Sequence, residues 1–121
     1  MIESLILIVD DHAAFRRLVQ SLFPRDTQFI ECSDGESAVK AYGGQRPDWV
    51  LMDVAMRGID GLKATRQIKG SHPDARVVIL TQYDDPDLRA HAREVGACAY
   101  ILKENISDLR HLINGAPVAT V

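Results

Sequence analysis

Five polar residues suited to metal binding or phosphoryl transfer follow short apolar stretches of this sequence. They are Asp10, Asp11, Asp53, Thr81 and Lys103. Three carboxylates brought together repel one another unless a cation neutralises them, and hard oxygen ligands suit Mg²⁺. A carboxylate beside such an ion can attack phosphorus, while an ammonium and a hydroxyl group stabilise the oxygens of the transferring group. If these side chains meet in space, they form a Mg²⁺-dependent phosphoryl-transfer site.

The apolar stretches before these residues have the composition of strands that are buried on both faces. Segments whose apolar residues have helical spacing lie between them. The clearest contains Phe15, Leu18, Val19 and Leu22, which follow an i, i+3, i+4, i+7 pattern. The predicted strands are 5–9, 29–30, 49–52, 77–80 and 99–102, and the other predicted helices are 37–42, 62–68, 88–95 and 106–113.

Five strand-helix repeats predict a parallel sheet with right-handed crossovers and helices on both faces. Gly43, Gly44 and Pro47 are expected to end the helical segment before the third strand. Ligands of such sheets gather outside the carboxyl ends of the strands, so the five polar residues are expected to converge there. Taken singly, Asp10 or Asp11 could instead cap the following helix. We also expect His12 to be a first-turn residue at the rim and not a metal ligand.

The overall composition is that of one domain with its own core. The chain has 121 residues, 46% of them hydrophobic, and a net charge of −3. Its 14 basic residues are scattered, so no direct binding of nucleic acid is expected. The apolar run Leu5–Val9 is shorter than a signal-peptide core of roughly 7 to 15 residues, and no membrane association is expected. Cys32 and Cys98 are expected to be small buried side chains in a cytoplasmic protein.

Four motifs in this order, "VDDH", "DVAMRGIDG", "LTQYDD" and "AYILK", resemble the receiver domain of bacterial two-component response regulators. The "DDH" opening and the lack of proline after Lys103 resemble the NarL/LuxR-type subgroup. The resemblance implies a flavodoxin-like, doubly wound five-stranded parallel sheet in the order 2-1-3-4-5 with five helices. It also implies a receiver domain over residues 1–114 and a tail or linker over residues 115–121.

The resemblance implies a role for each matching residue near the metal. Asp53 is expected to take a phosphoryl group from a phosphohistidine of a sensor histidine kinase. Asp11 and Asp53 are expected to bind Mg²⁺ directly, and Asp10 is expected to bind it through water. The backbone carbonyl of Ala55 is the expected further ligand.

The resemblance implies a second set of roles in signalling. Lys103 would pair with the phosphoryl group and Thr81 would hydrogen-bond it, while Tyr100 would be the aromatic switch whose rotamer follows the threonine. The face formed by the fourth helix, fifth strand and fifth helix would then contact an output domain or a second copy. Such a domain is a switch and not an enzyme. The chain is expected to be either a fragment of a longer transcriptional regulator or a stand-alone receiver.

Four residues depart from the family pattern or bear on the lifetime of the phosphoryl group. Arg57 and Glu104 stand where proline is common. Ala55 has no polar side chain to orient a water, and Tyr83 is bulky enough to crowd the approach to phosphorus. We therefore hypothesise slow loss of phosphate from Asp53.

Three alternative functions remain to be compared. A phosphatase of the haloacid dehalogenase type needs a second acid two residues after its nucleophile, where this chain has Ala55. A flavin or dinucleotide carrier needs a glycine-rich loop where this chain has "DDHAAF". The stronger alternative is a receiver-like interaction module that signals without phosphorylation, against which the acidic cluster and Lys103 both argue.

Overall fold

Strands and helices alternate along the chain, as the periodicity predicts. A computed structural model describes residues 4–56 and 58–113, so Arg57 and the predicted tail 115–121 lie outside the described residues. The strands are β1 (Leu5–Val9), β2 (Gln28–Cys32), β3 (Trp49–Met52), β4 (Val77–Thr81) and β5 (Ala99–Leu102). The helices are α1 (Ala13–Ser21), α2 (Gly35–Gln45), α3 (Gly61–Ser71), α4 (Pro86–Glu94) and α5 (Asp108–Ile113). A 3₁₀ turn, Lys103–Asn105, separates β5 from α5.

The five strands form one parallel sheet in the order β2-β1-β3-β4-β5. The predicted fold class is therefore confirmed. β1 lies between β2 and β3, with Val9 opposite Cys32 on one side and Met52 on the other. The carboxyl ends of β1 and β3 are thus neighbours at the same edge of the sheet.

Alternate residues of the strands enter two separate cores. The face of the sheet that carries Ile6, Ile8 and Leu51 packs on α1 and α5 through Val19 and Leu109. The opposite face packs on α2, α3 and α4, and its buried members include Leu7, Val9, Met52, Tyr42, Ile68 and Ala92. Burial on both sides makes the central strands rigid supports for whatever follows them. Among residues 4–56 and 58–113, no helix is long and apolar enough to span a lipid bilayer.

Paired hydrogen bonds align β1 with β3 at the amino end of the sheet. The Asp48 N–H donates to the carbonyl of Leu5 at 2.8 Å, and the Leu5 N–H donates to Oδ2 of Asp48 at 2.9 Å. A slip of one residue would turn every side chain of a strand to the other face, so these bonds favour the observed register.

Three expectations about local structure were wrong. α2 continues through Gly43 and Gly44, and the chain turns only at Arg46, whose φ of 48° is left-handed. Packing of Ala38 and Tyr42 in the core outweighs the cost of glycine in a helix, about 1 kcal/mol per residue. β2 is partly exposed because it is the edge strand. Cys98 is exposed and Cys32 only half-buried, because one lies in a turn and the other ends the edge strand.

Candidate functional site

Asp10 and Asp53 lie side by side directly after β1 and β3. The Asp53 N–H donates to the carbonyl of Val9 at 2.9 Å, and the Asp10 N–H donates to the carbonyl of Cys32 at 3.0 Å. Both residues are buried, with 2% of Asp10 and 6% of Asp53 exposed. The ladder of backbone hydrogen bonds therefore continues into the site and fixes the two carboxylates.

Lys103 reaches the same place from the end of β5. Its Nζ lies 2.8 Å from Oδ2 of Asp10 and 3.6 Å from Oδ1 of Asp53. The lysine side chain is only 18% exposed, so water screens these contacts weakly. One ammonium thus serves two buried carboxylates, and we call Asp10, Asp53 and Lys103 the carboxylate site.

The charge of the carboxylate site is not fully compensated. Burial raises the pKa of Asp53 from 3.8 to about 6, and the negative charges of Asp10 and Asp11 act in the same direction. The Lys103 ammonium opposes this shift and keeps the pKa of Asp53 from rising further. Additional positive charge beside Asp53 would therefore stabilise its ionised form.

Asp11 and His12 occupy the open side of this site. Nδ1 of His12 lies 2.9 Å from Oδ1 of Asp11 and 3.2 Å from Oδ1 of Asp10. Each of Asp10, Asp11 and His12 has an oxygen or nitrogen atom that could bind a metal ion, and these three atoms lie within 4.8 Å of one another. Among the residues that the structure describes, this is the one such group of three. The carboxylate oxygens are suitable donors for Mg²⁺, and Asp11 and His12 also line an open cleft together with Ser33 and Asp34.

The backbone at the start of α3 packs closely against the backbone of Asp53. Gly61, the first residue of α3, lies so close that a Cβ atom there would be 1.8 Å from the carbonyl oxygen of Asp53. The Gly61 N–H donates to the carbonyl of Val54 at 3.0 Å. Glycine at this position is what lets α3 begin directly under the phosphoacceptor candidate.

A chain of contacts begins at Thr81, the last residue of β4. Oγ1 of Thr81 accepts a hydrogen bond from the Tyr83 N–H at 3.2 Å. The carbonyl of Tyr83 accepts from Oη of Tyr100 at 2.6 Å. Arg89 lies over the Tyr100 ring, 4.4 Å from its centroid, and pairs with Asp84 at 3.1 Å. We call Thr81, Tyr83, Tyr100 and Arg89 the aromatic latch.

Tyr100 is buried in this arrangement, with 1% of the residue exposed. Thr81 is also fully buried, and its hydroxyl can donate while it accepts from Tyr83. Ala55 and Tyr83 are both exposed. The switch role of Thr81 and Tyr100 and the effect of Ala55 and Tyr83 on dephosphorylation stay predictions.

A family model described as "Response regulator receiver domain" matches residues 6–114. The chain belongs to this family. Receiver domains of response regulators are signalling switches and not conventional enzymes. The resemblance read from the four motifs is thereby confirmed.

Individual relatives of this receiver domain are transcriptional regulators of the LuxR type. It is 36% identical over 106 residues to the transcriptional regulatory protein DegU of Brevibacillus brevis, covering 85% of this chain and 45% of that protein. The crystal structure of a LuxR-family two-component response regulator from Aurantimonas sp. SI85-9A1 is 30% identical, with a TM-score of 0.85 over 94% of this chain and 84% of that one.

A further neighbour shares the receiver fold. The crystal structure of the CheX–CheY–BeF3–Mg complex from Borrelia burgdorferi is 24% identical to this chain, with a TM-score of 0.83 over 93% of this chain and 88% of that one. The chain spans about half the length of the curated relatives it matches.

Sequence reasoning found the strand-end residues of the receiver domain and missed the side chains that hold them. It did not assign Phe15, whose ring lies 4.3 Å from Nζ of Lys103, or the contact of Arg89 with Tyr100. It placed His12 in the first turn of α1 at the rim; the residue is exposed at the rim but precedes the first turn as the N-cap of α1. Its contacts to Asp10 and Asp11 were not predicted. The contact of Phe15 with Lys103 could have been anticipated only from the position of Phe15 in the first helix, five residues after Asp10.

Proposed function

We propose that Asp53 of this receiver domain accepts a phosphoryl group from a phosphohistidine of a sensor histidine kinase. The observation that carries the proposal is the buried Asp53 carboxylate, which shares the Lys103 ammonium with Asp10. An Asp53 oxygen would form the O–P bond while the P–N bond of the donor breaks. The ammonium and the Thr81 hydroxyl would then bind oxygens of the phosphoryl group.

We further propose that Mg²⁺ is the cofactor. Asp11 and Asp53 would bind it directly, Asp10 through water, and the Ala55 carbonyl would complete the protein ligands. The oxygen-rich donor set and the raised pKa of Asp53, about 6, support this choice. The neighbouring CheX–CheY–BeF3–Mg complex from Borrelia burgdorferi contains the same metal. Bound Mg²⁺ would neutralise negative charge on the transferring group.

The output would be a change of surface. A phosphoryl group on Asp53 would carry about −1.5 to −2 charge and, in this proposal, would accept a hydrogen bond from the Thr81 hydroxyl. Any shift of Thr81 reaches Tyr100 through Tyr83, because the three are joined by two hydrogen bonds. We expect the face formed by α4, β5 and α5 to contact an output domain or form a homodimer.

The setting of this domain is also a proposal. Residues 1–114 would form the receiver and residues 115–121 a tail or linker toward the rest of a cytoplasmic transcriptional regulator. DNA binding would belong to that other part and not to these residues. Any enzymatic activity would be limited to slow dephosphorylation of Asp53.

The proposed phosphorylation is tested with acetyl phosphate, Mg²⁺ and intact-mass spectrometry. We expect the unmodified chain and the exposed-site control Asp26→Asn to gain one phosphoryl group, and Asp53→Asn to gain none. Absence of any gain in the unmodified chain would favour the interaction module that signals without phosphorylation. A gain that persists in Asp53→Asn would place the phosphoacceptor elsewhere.

Magnesium binding is tested separately by titration calorimetry. We expect Asp11→Asn and Asp53→Asn to weaken binding at least tenfold, about 1.4 kcal/mol, and Asp26→Asn to leave it unchanged. Equal affinity in all four proteins would exclude the proposed ligands.

The hypothesis of slow dephosphorylation rests on Ala55 and Tyr83. We expect Ala55→Asn to shorten the lifetime of the phosphorylated domain, because an amide could orient the attacking water, and Tyr83→Ala to shorten it by opening the approach. The lifetime is measured by mass after removal of the donor. Decay within seconds in the unmodified chain, unaltered by either substitution, would contradict the hypothesis.

A further inference from the structure

The Lys103 ammonium contacts a third group besides the two carboxylates. The ring of Phe15 lies against it, with Nζ 4.3 Å from the ring centroid. We infer that Phe15 is a positioning residue for the phosphoryl-transfer reaction, because its ring holds the ammonium beside Asp53 through a cation–π contact. This inference rests on the proposed function, in which Lys103 pairs with the phosphoryl group.

The three contacts define where the ammonium lies. A lysine side chain is a flexible four-carbon stem with a point charge at its end, so Asp10 alone, at 2.8 Å, would leave other positions of Nζ open. Asp53 lies 0.8 Å farther from Nζ than Asp10 does, at 3.6 Å. The Phe15 ring supplies the additional attraction that keeps the ammonium from extending into solvent.

The ring itself has a fixed position. Phe15 belongs to α1 and packs against the core that lies between the sheet, α1 and α5. β1 ends at Val9 and α1 begins at Ala13, so a short connection ties the ring to the strand that carries Asp10. The position of the Phe15 ring and that of the Asp10 carboxylate therefore both depend on β1.

An aromatic ring suits this task because it attracts a cation without taking a particular N–H group. The three N–H groups of Lys103 stay available for Asp10, Asp53 and oxygens of an incoming phosphoryl group. A carboxylate in place of the ring would attract the ammonium more strongly but would also compete for these donors. The ring thus holds Lys103 in place for its ligand and does not compete as a hydrogen-bond acceptor for its N–H groups.

The test replaces Phe15 by phenylalanines with one, two and five ring fluorines, which weaken the negative face of the ring and change its shape little. We expect the initial rate of phosphate uptake from acetyl phosphate to fall stepwise, by about fivefold for the pentafluoro ring and for Phe15→Leu. Phe15→Trp, with a stronger cation–π face, is expected to retain the rate. The thermal unfolding midpoint is followed in the same series to separate a loss of packing from a loss of positioning.

The matched control is the same fluorinated series at Phe29, whose ring packs on Phe23 with centroids 5.8 Å apart. We expect no stepwise change of rate there. A flat rate across the Phe15 series, or an equal fall in the Phe29 series, would overturn the inference.

A second measurement does not depend on phosphorylation. Ring current from Phe15 should move the NMR signal of the Lys103 ε-methylene protons upfield, and Phe15→Leu should return the signal to its ordinary position. If the unmodified chain takes up no phosphate, the proposed function fails, and this signal alone decides whether Phe15 places the ammonium. An ε-methylene signal that is the same with phenylalanine and leucine would overturn the inference in either case.

Discussion

The carboxylate site and the aromatic latch lie at the same edge of the sheet but are held in different ways. Asp10 and Asp53 continue buried strands, and backbone hydrogen bonds fix both. The latch instead joins a loop to α4 and β5 through single hydrogen bonds and a partly exposed pair of Arg89 with Asp84. The difference teaches that the fold holds its buried carboxylates on backbone that resists movement, and the aromatic latch on side-chain contacts that are easier to exchange.

The largest expected effect is at the backbone below the carboxylate site. Gly61→Ala would place a Cβ atom 1.8 Å from the Asp53 carbonyl oxygen. We expect the free energy of unfolding to fall by about 3 kcal/mol, because neither backbone can yield easily. Urea unfolding measures the change. Gly70→Ala in the same helix has no heavy atom within 4 Å of its Cβ, and equal stability of the two variants would show that the site's backbone is not rigid.

The next effect removes the shared cation. Lys103→Met leaves the carboxylates of Asp10 and Asp53 buried without their ammonium, and we expect a loss of roughly 2 to 3 kcal/mol at pH 8. It should also raise the pKa of Asp53 further, since Lys103 lowers it. Near pH 5 the loss should shrink, because Asp53 is then protonated. Denaturant unfolding at both pH values checks this, with the exposed Lys40→Met as control. A loss independent of pH would mean that the charge interaction of Lys103 with Asp53 does not contribute to stability.

A smaller effect of opposite sign is expected from Asp53→Asn. The native pKa of about 6 lies above the ordinary value of 3.8, so protonation of Asp53 favours the folded state. The stability that protonation contributes is full below about pH 4 and is lost as the pH rises through 6. The uncharged asparagine should therefore stabilise the protein by on the order of 2 kcal/mol at pH 8 and by little near pH 4. Unfolding in EDTA across this range measures it, and a gain that does not change with pH would contradict the assignment.

The smallest effect belongs to the aromatic latch. Tyr100→Phe removes the hydrogen bond to the Tyr83 carbonyl but keeps the ring under Arg89. We expect a loss of about 1 kcal/mol, with faster amide hydrogen exchange confined to residues 82–85. If this variant destabilised the protein as much as Gly61→Ala, the proposed contrast between a rigid site and an exchangeable latch would be wrong.

The sequence predicts well what depends on strand direction. Asp10, Asp53 and Lys103 meet because parallel strands put their carboxyl ends at one edge, and the apolar stretches before them identify the strands. Contacts made by side chains of the helices were harder to predict from the sequence. Whether the Phe15 ring faces Lys103 depends on the packing of α1 against the sheet, which the helical period alone does not give. The continuation of α2 through Gly43 and Gly44 likewise depends on tertiary packing that overrides local preference.

The reciprocal bonds between Asp48 and Leu5 have a consequence at the opposite end of the molecule. They lie about 13 Å from the carboxyl end of β1, at roughly 3.3 Å per residue, yet they help to align the two strands that carry the carboxylate site. Without those bonds, a shift of one position between β1 and β3 would carry Asp53 away from Asp10 and turn it to the other side of the sheet. The placement of the phosphoacceptor candidate thus depends in part on two hydrogen bonds at the opposite end of the sheet.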